Sequence, residues 1–260
     1  MNIFFLAVYI PSDQNRLSRL DVQLNALSTE NTQLHAVSGA GDTGSASLQA
    51  PAVSQSVQNV IRGRRLAQTV VEKGSIMNIS VEIVPGKGRV LVETKPLMGV
   101  VFQDAANTAV AVAANKTSVD LSDRDVIFSI DSGDLVSEVD GPSAGALMAL
   151  LAISAIEKRP INESLTLTGT IDGEGHIGAI GGVVAKATAA KESGKTLFLI
   201  PAENQLITPP VSGTESAGIF TTARSLQQVS ASDYIENTIG INVTYVSTID
   251  DVTARALKTS

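Results

Sequence analysis

Hydrophobic alternation and helical periodicity divide the chain into segments before any chemistry is considered. Short runs rich in Val, Ile and Thr, namely "SIMNISVEIVPG", "GRVLVET", "DVIFSI", "SLTLTGTI", "TLFLIPA" and "INVTYVS", predict strands. Helices are predicted over residues 98–116, 143–158, 182–193 and 249–257, the last opened by "STIDD". Strands and helices from residue 75 to 258 therefore form one compact mixed unit. "EIVPGKGRV" reads as strand, turn, strand, and "IDGEGHI" as a hairpin with an Asp-Gly turn.

The segments upstream have a different texture. Residues 1–10 form an apolar run of about ten residues, half the roughly 20 that span a bilayer. It lacks a basic leader and a small-residue cleavage site. A clipped membrane anchor or signal remnant fits it, and so does a short strand or helix start. Over residues 11–37, Ile10, Leu17, Leu24 and Asn31 share one heptad position, and Leu20, Leu27 and Leu34 another. That is the pattern of a short coiled coil with Asn31 setting the register; a lone amphipathic helix packed on the main domain fits the same leucines. Residues 38–55 are small and polar without periodicity and predict a flexible linker. A connecting helix is expected over 56–74.

Composition narrows the chemistry. A net charge of −7 argues against a nucleic-acid partner, which needs a basic surface. Aromatics at 3%, with no Trp, leave no stacking platform for bases or sugars. With no cysteine there is no disulfide and no thiolate chemistry. The only histidines are His35 and His176, so a serine nucleophile paired with histidine would have to use one of these two.

Two motifs resemble nucleotide sites and fail on context. "GEGHIG" (Gly173, Gly175, Gly178) has dinucleotide-fingerprint spacing but sits in the predicted hairpin. "SGKT" at 193–196 ends a helix and leads into a strand, the reverse of a phosphate-binding loop, and Ala189 stands where the earlier glycine belongs. His176 has no paired ligand motif. No cofactor and no metal are expected.

"DGPSAG" at 140–145 opens the apolar helix. Pro142 suits a first helical turn, whose N–H groups have no partner inside the helix. Ser143 is then either an ordinary helix-start residue or a nucleophile whose oxyanion would meet free N–H groups. Gly141 and Gly145 would let a substrate strand approach closely. In "GGVVAKATAAKESG", Val183, Lys186, Ala187 and Ala190 share one helical face, which puts Lys186 on the apolar stripe, while Lys191, Glu192 and Lys195 can reach solvent. Lys186 either snorkels to water or is held dry. To serve as a base near neutrality its pKa must fall from about 10.4 to near 7–8, at a cost of about 4 kcal/mol.

"DGPSAG", followed 43 positions after its serine by the lysine of "IGGVVAKA", resembles the proteolytic domain of the Lon family. "LTLTGTIDGEGHIGAIGG", "TLFLIPAEN" and "VTYVSTIDDVTARAL" resemble that family's following strand and turn, next strand, and closing strand and helix. The likeness covers residues 75–258. It implies an α+β fold of the Lon proteolytic type (ribosomal protein S5 domain 2-like), with the N-terminal helical or coiled-coil segment added in front. It also implies a Ser-Lys dyad in which Ser143 is the nucleophile and Lys186 the general base. Thr168 matches the threonine that holds the lysine, and Asp140, Gly141, Pro142 and Ala144 complete the serine motif. The chain departs from the family at Val139, where a lysine is usual, and in "IDSGDLVSE", where the family strand is rich in His, Pro and Glu.

The function implied is a serine endopeptidase that forms an acyl-enzyme on peptides and unfolded proteins. No phosphate-binding loop occurs in the sequence, so ATP independence is expected. The family also implies a homo-oligomer, a hexameric ring. The N-terminal segment is a candidate tether to a membrane or a separate unfoldase, giving a cytoplasmic or membrane-associated location. A catalytically silent assembly module with a collapsed cleft is the alternative.

Overall fold

The computed structural model describes residues 43–62, 65–94, 97–132, 138–139, 141–209 and 228–258. One compact unit runs from Gly44 to Ser260. The apolar start and heptad segment predicted over residues 1–37 lie outside the described residues. Among the described residues no helix is long and apolar enough to cross a membrane.

Residues 38–42 of the expected linker lie outside the described residues; the rest of it, and the helix expected over 56–74, are corrected. Strands β1 (Gly44–Arg62) and β2 (Arg65–Pro85) occupy that stretch as one long antiparallel hairpin, paired from Gly44↔Ile83 to Arg62↔Arg65. The compact unit thus begins well before residue 75. "SASLQA" alternates small polar and apolar residues at period 2, and its inward set, Ala46, Leu48 and Ala50, packs on the core. Val57, Val60, Ile61, Val70 and Val71 favour the pleated state that the pairing supplies. Pro51 is tolerated because β1 is the outermost strand.

The next elements are β3 (Val90–Thr94), β4 (Leu97–Met98), α1 (Val100–Thr117), β5 (Arg124–Ser132) and β6 (Glu138–Val139). The main sheet has the order β1-β2-β5-β3. Its β1/β2 and β2/β5 pairs are antiparallel, whereas β3/β5 is parallel. The predicted turn after Pro85 is present, but β5 separates the strands it joins. Asp125 of β5 holds that turn by accepting the N–H groups of Lys87 and Arg89, together with the Arg89 guanidinium. β4 and β6 form a short parallel pair.

A 3-10 turn (Pro142–Ala144) leads into α2 (Gly145–Glu157). Then follow β7 (Leu165–Leu167), β8 (Thr170–Ile171), β9 (Ile177–Gly178), α3 (Val183–Glu192) and β10 (Leu197–Pro201). The chain closes with β11 (Leu206–Ile207), β12 (Val229–Ser230), α4 (Ala231–Thr238), β13 (Asn242–Val246) and α5 (Ile249–Ala256). A second sheet, β13-β10-β7, is wholly parallel, and β10 reads as an unbroken apolar run because both its faces are covered. β8 and β9 form the predicted Asp-Gly hairpin.

The four helices predicted downstream of residue 75 are present to within a residue or two. α4 was not expected, because its sequence is short and polar; Ser230 caps it by accepting the Asp233 N–H. Two hydrophobic clusters fill the unit. The first joins the inner face of the main sheet to α1, α2 and α5, with Leu199 of β10. The second joins α3 and α4 to the other face of β10, through Phe198 and Ile200. These observations give the mixed α and β architecture that the sequence predicted.

Candidate active site

Ser143 lies in the middle of the 3-10 turn, with Pro142 at its first position. Gly141 just before it has φ of 137°, a conformation that side chains disfavour, although a Cβ there would meet nothing within 4 Å. The turn is stitched to the strand that follows α2. The Ser143 carbonyl accepts the Gly169 N–H at 2.9 Å and the Thr168 hydroxyl at 3.0 Å, and the Ala146 N–H donates to Gly169 O at 3.1 Å. α2 is buried from Gly145 to Ala155, so the turn is fixed to the centre of the core.

Lys186 is one turn into α3. The helical face read from the sequence is the buried one: Val183, Lys186, Ala187 and Ala190 all point inward. Two contacts press this helix onto the hairpin. At Gly74 of β2 a Cβ would lie 2.1 Å from the Ala185 carbonyl oxygen, so the backbones meet directly; Val53 of β1 packs against Gly182. Lys186 is only 2% exposed. Its amine is 2.8 Å from Ser143 Oγ and 3.2 Å from Thr168 Oγ1. Because the Thr168 hydroxyl proton is given to Ser143 O, its lone pairs face the amine.

Burial lowers the Lys186 pKa to about 8; the charge of Glu72 opposes this shift. Near neutrality a useful share of the amine is uncharged, and its lone pair can accept a proton. A cavity of about 130 Å³ opens beside Ser143, lined among others by Ala50, Val53, Met77, Phe102 and Leu167. The cleft is therefore not collapsed.

Gly141, Pro142, Ser143, Ala144, Thr168 and Lys186 are thus neighbours. Asp140 lies outside the described residues. Sequence reasoning misses the stretch from Ala50 to Ser54, which falls in the predicted linker yet lines the cavity. The period-2 pattern running into it was the available signal. Lys195 is a correction. Expected in solvent, it is buried, with its amine donating to the Glu163 carbonyl at 2.7 Å, because the turn after α3 folds it back.

The glycines of "GEGHIG" belong to the β8–β9 hairpin, and Ser193 ends α3, so neither motif forms a phosphate loop. His176 pairs through Nδ1 with Asp172 at 3.0 Å, on the surface. Among the described residues no group of three or more His, Asp or Glu side chains is placed to hold a metal.

The sequence signature described as Lon protease (S16) C-terminal proteolytic domain matches residues 45–212. A Lon protease of Clostridioides difficile is 35% identical over 136 residues, which is 50% of this chain and 17% of that protein. Lon protease 2 of Bacillus subtilis is 38% identical over 109 residues, 42% of this chain and 19% of the relative. An archaeal Lon protease of Methanothermobacter thermautotrophicus is 33% identical over 135 residues, 50% and 20%. The chain spans a fifth or less of the length of these relatives. The signature takes in both strands of the hairpin, the serine turn and the helix of Lys186, and on that match the chain belongs to the Lon protease C-terminal proteolytic domain family.

Proposed function

We propose that the chain is a serine endopeptidase working through a Ser143–Lys186 dyad. The observation that carries this reading is a buried amine 2.8 Å from a hydroxyl at the mouth of an open cavity. Lys186 takes the Ser143 proton as Oγ attacks the substrate carbonyl. The oxyanion forms at the positive end of α2, where the helix dipole favours negative charge. The tetrahedral intermediate collapses as Lys186 passes its proton to the leaving amine. Water, deprotonated by the same amine, then attacks the acyl-enzyme; Lys186 returns the proton to Ser143 as the acid product leaves. Thr168 keeps the amine turned toward Oγ through both halves.

None of these steps consumes a nucleotide, so the reading includes ATP independence. Substrates in this reading are peptides and unfolded chains, whose side chains can enter the cavity beside Ser143. Assembly into a homo-oligomeric ring, and recruitment of a membrane or unfoldase by the N-terminal segment, belong to the same proposal. Light scattering with and without residues 1–40 tests the assembly.

The decisive assay is casein hydrolysis without ATP. Wild type should turn over; Ser143→Ala and Lys186→Arg should both be inactive, since arginine cannot give up its proton. Equal turnover by Ser143→Ala refutes the reading. The wild-type rate should rise with pH through about 8 and then level, as Lys186 passes from ammonium to free base.

A further inference from the structure

We infer that Asn204 is a positioning residue for Lys186, acting through the turn that starts α3; this rests on the dyad proposed above. After β10, the central strand of the parallel sheet, the chain makes a 3-10 turn over Ala202–Asn204. The Asn204 side chain reaches back to Ile180 and bonds both of its backbone groups. Oδ1 accepts the Ile180 N–H at 2.9 Å, and Nδ2 donates to the Ile180 carbonyl at 3.0 Å. Beside it, the Glu203 carboxylate accepts the Ala179 N–H at 2.8 Å. The segment between β9 and α3 is therefore held to the sheet's central strand by three hydrogen bonds from two consecutive side chains.

What that segment controls is the base. Gly182, two residues beyond Ile180, caps α3, and its carbonyl accepts the Lys186 N–H at 2.9 Å in the first helical turn. A shift of the Ile180 turn therefore passes to the Lys186 backbone with one helical turn in between. The hydroxyl partner sits on a different support, the serine turn bound to Thr168 and Gly169. The 2.8 Å separation of amine and hydroxyl depends on how both supports are held, and Asn204 joins the Gly74 and Val53 contacts in holding the lysine side.

Only an amide of this length fits. Aspartate keeps the shape and the acceptor but cannot donate to the Ile180 carbonyl, and it adds a second carboxylate next to Glu203. Glutamine is one methylene too long. Neither Asn204 nor Glu203 touches the cavity beside Ser143; Asn204 borders a separate, larger groove with Gly74, Ile180 and Gly182, so KM is followed beside kcat to separate positioning from substrate contact.

The test compares wild type, Asn204→Asp and Asn204→Ala in peptide hydrolysis across pH 6–10, with thermal unfolding recorded for each. Small displacements of a catalytic group cost roughly 10- to 100-fold. The expected result is a fall in kcat of that size with KM within about threefold. The inflection should also move above the wild-type position, because a loosened α3 lets water reach the amine. Titration of the Lys186 ε-carbon by NMR in the Ser143→Ala background should show the same upward move when Asn204→Asp is added, without any need for turnover.

The proposal is overturned if folded Asn204→Asp keeps wild-type kcat and inflection. It is equally overturned if activity falls only in step with the folded fraction. Should Asn204→Ala not fold, Asn204→Asp, nearly isosteric, carries the test. Ser143→Ala separates the two failures. Residual hydrolysis in that variant sinks the dyad, whereas an inactive Ser143→Ala beside a wild-type-like Asn204→Asp sinks only the positioning role.

Discussion

An ammonium group gives up strong hydration when it is buried, and Lys186 carries that penalty in the folded state. A pKa held at about 8 instead of about 10.4 weakens folding by about 3 kcal/mol. The sign follows from where the proton is held more tightly. The unfolded chain binds it better, so the penalty is complete below pH 8, shrinks between 8 and 10.4, and disappears above. Lys186→Met removes the charge and keeps the bulk, but it gives up hydrogen bonds to Ser143 and Thr168 worth about 1 kcal/mol each. The variant should be inactive, yet more stable than wild type by about 1 kcal/mol in urea unfolding at pH 7, and should lose that advantage by pH 10.5. A stability difference that does not change with pH would mean the amine is not held dry.

At the scale of elements, the hairpin β1–β2 and helix α3 determine how close the base comes. Their backbones touch where Gly74 lies under Ala185, with no space for a methyl group. Gly74→Ala should therefore lift the helix, lowering stability by about 1–3 kcal/mol and kcat by more than tenfold, read from urea unfolding beside hydrolysis of a small peptide. This hairpin is also where sequence reading fell short. Val57, Val60, Ile61, Val70 and Val71 satisfy helical spacing as well as strand spacing, and only pairing with a distant partner decides between them. Lys186 was legible because three small apolar neighbours share its face, and Ser143 because Pro142 marks the turn. Thr168 entered through the family motif alone. Asn204 was invisible as a positioning group, since nothing in "PAEN" announces a partner at Ile180.

Across the whole molecule, the dyad bridges two hydrophobic clusters. Ser143 precedes α2, which fills the first; Lys186 sits on α3, which belongs to the second with α4 and one face of β10. Alignment of the two groups therefore depends on the strands between the clusters, β7 leading into Thr168 and β10 into the turn that carries Asn204. Leu199→Ala, deep in β10, should cost about 2–5 kcal/mol of stability. At temperatures where the variant stays folded, the KM of a short peptide should remain within about twofold, as Leu199 does not line the cavity. Calorimetry and steady-state kinetics on the same preparation check both halves.

The helix that follows the serine has no face toward water from Gly145 to Ala155. Freeing it means dismantling the interior, so the nucleophile cannot drift while the rest of the protein stays intact. Warming a sample should thin the ranks of working molecules without slowing the survivors, and the melting curve followed by circular dichroism should superimpose on the curve of remaining activity.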